Sequence, residues 1–139
     1  MNATKIFNPK GWLIGFAILH TVLFLIPQLF ATSAAASMNW GDGNVPPHAE
    51  FYELQMGVLG IGYAPILIAM AVLTEGALRA KLALVTGLSM GVIGGLNTYI
   101  NIQKAGYMED MPLAFMIGMP LIIFGGLTLS GWLNLNDGE

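Results

Sequence analysis

The sequence contains no cysteine and very few charged residues. Because none of its 139 residues is cysteine, the chain can form no disulfide, thiolate metal site or thiol nucleophile. Only 9% of the residues are charged, against about a quarter in a soluble domain, which excludes an ordinary soluble surface. Five basic residues are too few for a nucleic-acid footprint or a polybasic lipid-binding patch.

Recognisable enzyme motifs are also missing. The sequence has no nucleophile elbow, phosphate-binding loop, His-Glu-x-x-His pair or dinucleotide fingerprint. No reaction can therefore be read from it, and the missing motifs favour a protein without a catalytic site of its own.

Apolar residues make up 55% of the chain and gather in four long stretches. These cover residues 11–36, 51–74, 82–102 and 112–133, and each reaches the roughly 20 residues that a helix needs to cross ~30 Å of hydrocarbon. None alternates as a barrel strand does, and lipid allows only helices or closed barrels. The sequence predicts one all-α domain over residues 1–139, a polytopic four-transmembrane-helix bundle.

The basic residues predict the orientation of this bundle. Lys5 and Lys10 precede the first stretch, Arg79 and Lys81 lie between the second and third, and Lys104 alone lies on the other side. This distribution predicts cytoplasmic termini in a bacterial-type plasma or inner membrane. The opposite face then carries five acidic residues: Asp42, Glu50, Glu53, Glu109 and Asp110.

Small residues indicate where the helices approach one another. Gly87, Gly91 and Gly95 recur every four residues along one side of the third stretch, and Gly94 widens this glycine ridge. Close approach through small residues is how helices associate in lipid. The ridge fits packing within the chain, or docking against a homo-oligomer partner or larger membrane complex. Gly60 and Ala64 form a shorter example in the second stretch.

Three prolines fall inside the apolar stretches. Pro27, Pro65 and Pro120 each free a carbonyl one turn back and favour a kink. Kinks either shape a lipid-facing pocket or fit the helix to curved neighbours.

His20 is the most informative polar residue. It lies about nine residues into the first stretch, roughly 13 Å deep at 1.5 Å per residue. An ionisable group at that depth suggests haem ligation, proton relay or head-group binding. The alternative is a neutral histidine hydrogen-bonded to the hydroxyl of Tyr63 or Ser89.

Two further polar groups lie near the predicted outer boundary. His48, Glu50 and Glu53 offer nitrogen and oxygen ligands for a metal ion, although carboxylates in a first helical turn also suit the helix dipole. Asn97 and Asn101 are four residues apart and, with Gln55 and Glu53, predict a polar pocket for a head group or quinone carbonyl. Hydrogen bonds between helices explain the asparagines equally well.

The run Glu53-Leu-Gln-Met-Gly-Val-Leu-Gly-Ile-Gly62, the turn Leu78-Arg-Ala-Lys81, and Gly94, Gly95 and Gly106 resemble small membrane proteins of the DoxX-like kind. The resemblance covers less than half of the chain. It implies a compact four-helix bundle, often a partner of a larger membrane oxidoreductase, and it carries over no catalytic residue.

The sequence therefore predicts a small noncatalytic accessory or structural subunit surrounded by bound lipids, with no other cofactor and no nucleic-acid partner. The alternative is a binder or enzyme for a lipophilic ligand, such as a quinone, sterol or isoprenoid, held between kinked helices. An ion or proton pathway through His20 and Glu53 is less favoured, because no string of polar residues crosses the inner half of the bilayer.

Overall fold

The computed structural model describes residues 3–108 and 110–136, and every regular element within them is a helix. Glu109 lies outside the described residues, as does the side chain of Lys104. The helices in chain order are α1 (Ala3–Ile6), α2 (Pro9–His20), a π-helix (Thr21–Leu25), α3 (Ile26–Phe30), α4 (Thr32–Trp40), α5 (Ala49–Gly60), α6 (Tyr63–Leu73), α7 (Gly76–Ala105) and α8 (Leu113–Leu133).

Four helical segments are long and apolar enough to cross a membrane: Ala3–Phe30, Ala49–Leu73, Gly76–Gln103 and Ala114–Leu133. The prediction of an all-helical bundle with four such segments is confirmed for the described residues. The first segment ends six residues earlier than predicted, because the helix breaks at Ala31 (φ −141°, ψ 47°). The following helix, α4, includes threonine, serine and asparagine and is too polar to continue the span.

Two of the three prolines lie next to irregular backbone. Pro27 has no N–H to donate and its ring crowds the carbonyl one turn back. The preceding turn widens into the π-helix, where the N–H of Ile26 reaches the carbonyl of Thr21. Pro65 falls in the first turn of α6, just after the helix is interrupted at residues 61–62, whereas Pro120 lies inside α8.

One half of the bundle has a compact apolar core. It is built from α2, α6, α7 and α8, and its buried members are Leu13, Phe16, Ala17, Leu67, Ala71, Ala83 and Leu127. At this end the amide of Asn134 donates to the carbonyls of Phe7 and Ser130, both at 2.8 Å, and joins the two ends of the chain. We call this the inner end. At the other, outer end, α5 packs on α3 and α4.

Most of the predicted glycine ridge is used within the chain. A Cβ on Gly87 would lie 2.5 Å from Oγ1 of Thr128 and 2.9 Å from the carbonyl of Phe124, so α7 and α8 touch there. Gly91 and Gly94 face the Phe124 side chain, but a Cβ on Gly95 would meet nothing within 4 Å. Only Gly95 therefore remains open to a neighbour outside the chain.

We expect Gly87→Ala to destabilise the protein by about 1–3 kcal/mol, because its methyl group would overlap α8 backbone. Gly95→Ala on the same helix is the matched control and should be neutral or stabilising by up to about 1 kcal/mol, since alanine favours helix. Thermal unfolding in detergent, followed by circular dichroism, measures both. Equal stability of the two variants would contradict the α7–α8 contact.

Candidate functional site

The outer end of the bundle is organised around a buried carboxylate. Glu53 on α5 is only 1% exposed. Its Oε1 accepts hydrogen bonds from Nδ2 of Asn39 at 3.0 Å and from the hydroxyl of Tyr107 at 3.2 Å, and its Oε2 accepts one from Nε2 of Gln28 at 3.3 Å. We call these four residues the Glu53 cluster. It joins α3, α4, α5 and the segment after α7.

Local backbone features place each donor. Gln28 follows Pro27 on α3, and the absence of a side chain at Gly57 lets α5 approach it, since a Cβ there would lie 3.0 Å from Cβ of Gln28. Gly106 ends α7 in the left-handed conformation (φ 70°), which turns Tyr107 back toward α4 and α5. There the N–H of Met108 donates to the carbonyl of Asn39 at 2.5 Å.

The environment of Tyr107 keeps its hydroxyl protonated. Burial raises the pKa of Tyr107, and the charge of Glu53 and the hydrogen bond to that carboxylate raise it further. Asn39 acts in the opposite direction. The ring of Trp40 packs edge-on against that of Tyr107 at 5.2 Å, and its buried Nε1 has no hydrogen-bond partner among the described residues.

The arrangement suits a structural link better than a reaction centre. Both carboxylate oxygens accept hydrogen bonds from the chain itself, and the side chain is buried, so it is closed to an external ligand. The donors are all neutral, and hydrogen bonds to a charged group are the stronger kind. The cluster therefore fixes how four segments meet at the outer end.

The structure does not assemble the predicted metal ligands. Glu53 points into its cluster, whereas His48 and Glu50 are exposed, and His48 packs edge-on against Tyr52. Residues 3–108 and 110–136 contain no group of three or more histidine, aspartate or glutamate side chains that could hold a metal ion. The three predicted ligands do not converge, because His48 and Glu50 are exposed while Glu53 is buried.

The predicted polar pocket is not assembled either. Gln55 comes two residues after Glu53, about 200° around the helix, and its side chain is exposed while that of Glu53 is buried. Asn101 is half-buried and Asn97 exposed on α7, and neither side chain makes a hydrogen bond within the described part of the chain. Neither asparagine side chain therefore bonds to the Glu53 cluster, although the backbone carbonyl of Asn101 accepts a hydrogen bond from the N–H of Tyr107 at 3.4 Å.

His20 lies at the junction of α2 and the π-helix, surrounded by aromatic rings. Its ring centroid is 5.4 Å from that of Tyr63, 6.0 Å from Phe24 and 6.3 Å from Phe16. Gly60 allows α5 to approach the imidazole, and Ala64 packs against the core. Nδ1 is buried without a hydrogen-bond partner among the described residues, so the expected bond to Tyr63 or Ser89 is not made.

The predictions from sequence missed the three donors to Glu53. Gln28 was a detectable signal, because it is a polar residue inside an apolar stretch directly after a proline. Asn39 and Tyr107 lie in segments that resemble ordinary loops. Their role depends on a fold that brings residues 14 and 54 positions away to Glu53.

We expect Glu53→Ala to lower the free energy of unfolding by about 2–4 kcal/mol, because Gln28, Asn39 and Tyr107 would lose their shared acceptor. Glu53→Gln keeps one acceptor oxygen and should have a smaller effect. Glu50→Ala, an exposed position on the same helix, is the control and should stay within about 0.5 kcal/mol. Denaturation in detergent measures all three, and similar losses at positions 50 and 53 would refute the cluster's structural role.

No family model matches the chain, and neither the curated proteins nor the solved structures yield a significant match. The resemblance to DoxX-like proteins therefore stays a prediction based on the residues quoted above. Function has to be inferred from the chain's own geometry.

Proposed function

We propose that the chain is an integral membrane protein that crosses the bilayer four times. Large apolar side chains are exposed on all four candidate spans, including Phe30 (81%) and Leu73 (78%). Such extensive apolar exposure is unfavourable in water, whereas hydrocarbon accepts it without cost. The helical backbone satisfies its own polar groups, as burial in lipid requires.

The same proposal includes cytoplasmic termini. Lys5, Lys10, Arg79 and Lys81 all belong to segments at the inner end, and Asn134 links the C-terminal end of α8 to Phe7. An excess of basic residues favours the cytoplasmic side.

The chain has no cysteine, so single engineered cysteines can report this orientation. In intact cells, an impermeant maleimide should label Asn44→Cys in the α4–α5 connection but not Lys10→Cys at the start of α2. Membrane permeabilisation should make both accessible. The reverse labelling pattern would contradict the proposed orientation.

Within the membrane, we infer that the chain acts as a noncatalytic accessory or structural subunit. The observation that supports this is the exposed amide of Asn97, without a hydrogen bond in the described residues, about six residues from the end of the span Gly76–Gln103. An unpaired amide in hydrocarbon is costly, and helices of a partner commonly supply the missing hydrogen bond.

Helical geometry defines which side of α7 would contact the partner. Asn97 lies two turns beyond Met90, on the same side of α7, and Met90 packs against the core. Phe124 still lies beside Gly94, but Asn97 beyond it is exposed. Gly95 lies about 160° away around the helix, at 100° per residue, so one docked helix cannot cover both. We therefore propose that a partner helix docks on the side of α7 that carries Asn97.

A second candidate function is binding of a lipophilic molecule, as a carrier or as an enzyme. The buried Nδ1 of His20, which has no partner in residues 3–108 and 110–136, favours it, because such an atom in an apolar span leaves a hydrogen bond available to a ligand. The adjacent rings of Phe16, Phe24 and Tyr63 would contact an apolar body.

Native mass spectrometry of gently solubilised membranes, with chemical crosslinking beforehand, tests the subunit proposal. We expect an oligomer or a larger complex, weakened about tenfold by Asn97→Leu. Gly95→Leu, on the opposite flank and in open space, is the control and should leave assembly unchanged. A chain that is strictly monomeric before and after crosslinking would refute the subunit proposal.

The same spectra address the second candidate. A small organic molecule that copurifies with the monomer and is lost in His20→Phe, but kept in Asn97→Leu, would support ligand binding over subunit docking. A monomer mass equal to that of the polypeptide alone would exclude a retained ligand.

A further inference from the structure

Two cavities meet at the inner end of the bundle, and they differ in character. One is a polar pocket of about 260 Å³ lined by Thr4, Lys5, Asn8, Pro9, Gly76, Arg79 and Asn134. The other is a groove of about 550 Å³ between α2 and α8, whose walls include Trp12, Phe16, Leu19, Ile122 and Ile123. Lys5 and Asn8 line both, so the pocket opens into the groove.

The polar pocket has the chemistry of an anion site. Lys5 and Arg79 supply two positive charges, and none of the described residues that line the pocket is acidic. Arg79 donates from Nη2 to the carbonyl of Thr74, which holds its guanidinium in place, while its buried Nε has no hydrogen-bond partner among the described residues. A guanidinium held in this way is suited to a phosphate oxygen.

The groove has the dimensions of one acyl chain. From Asn8 to Leu19 it follows α2 for eleven residues, about 16 Å, which is half of the ~30 Å hydrocarbon core. The groove is open at Gly11 and Gly15, since a Cβ on either would meet nothing within 4 Å. A chain lying there would stay within one leaflet.

We propose that the inner end binds one anionic phospholipid, with its phosphate beside Lys5 and Arg79 and an acyl chain in the groove between α2 and α8. The proposal rests on the proposed membrane insertion, because only a bilayer presents this ligand at that depth. Charge complementarity selects an anionic lipid over a zwitterionic one. The adjoining apolar groove selects a lipid over a free phosphate ion.

Lipid titration of the full chain in nonionic detergent, read by native mass spectrometry, tests the proposal. Phosphatidylglycerol and phosphatidylcholine with identical acyl chains are the probes. We expect one phosphatidylglycerol per chain, retained at least fivefold more tightly than phosphatidylcholine. Equal retention of the two lipids would overturn the proposal, as would displacement of phosphatidylglycerol by millimolar inorganic phosphate.

Matched variants separate the two parts of the site. Lys5→Gln should weaken phosphatidylglycerol binding about fivefold, whereas Lys10→Gln removes the same charge outside both cavities and should not. Gly15→Leu places a side chain in the groove, where its Cβ would meet nothing within 4 Å, and should weaken binding roughly tenfold, while Gly95→Leu on α7 should not. Equal behaviour within either pair would overturn the proposal.

Lipid binding is read on the monomer, so it does not depend on whether Asn97 recruits a partner. Loss of assembly in Asn97→Leu with normal lipid retention would leave the lipid site standing. Normal assembly with no preference for phosphatidylglycerol would refute the lipid site alone.

Discussion

The structure depends on polar groups finding partners within the chain. The backbone finds them in helices, which are the only regular elements among the described residues, as the proposed burial in lipid requires. Polar side chains find partners in two ways. Thr21 and Thr128 donate back to carbonyls one turn earlier in their own helices, at 2.8 and 2.7 Å. Glu53 instead needs donors from three other segments.

This requirement divides the bundle into two differently stabilised halves. At the inner end, alanines and glycines let α2, α6, α7 and α8 approach closely around Leu13 and Leu127. At the outer end, α5 packs on α3 and α4, and the Glu53 cluster links them to the segment after α7. Between these two regions lie His20 and Asn97, and within the described residues a nitrogen of His20 and the amide of Asn97 have no hydrogen-bond partner. Both proposed functions therefore use polar side chains that lie between the core and the Glu53 cluster, where neither supplies a hydrogen-bond partner.

The helical spans could be predicted because hydropathy is a local property of the sequence. Gly87 could also be predicted as a packing position, since spacing alone places it on the glycine ridge. The helix that packs against this ridge could not be predicted. The break at Ala31 was missed because the small residues after it continue the apolar pattern. The helix that they form is nevertheless too polar to extend the span. The interruption at residues 61–62 was missed for a similar reason, because only Pro65 marked that region.

The Glu53 cluster could not be predicted because its members are distant in the sequence. Gln28, Asn39 and Tyr107 lie 25, 14 and 54 residues from Glu53, and nothing in their local sequence indicates a common target. Apolar contacts between helices in lipid are weakly selective, since lipid tails satisfy an apolar surface equally well. Hydrogen bonds to a carboxylate are directional, and every arrangement that leaves its buried oxygens without donors is penalised. A single glutamate can thus determine the relative positions of α3, α4 and α5, which apolar packing alone would leave undetermined.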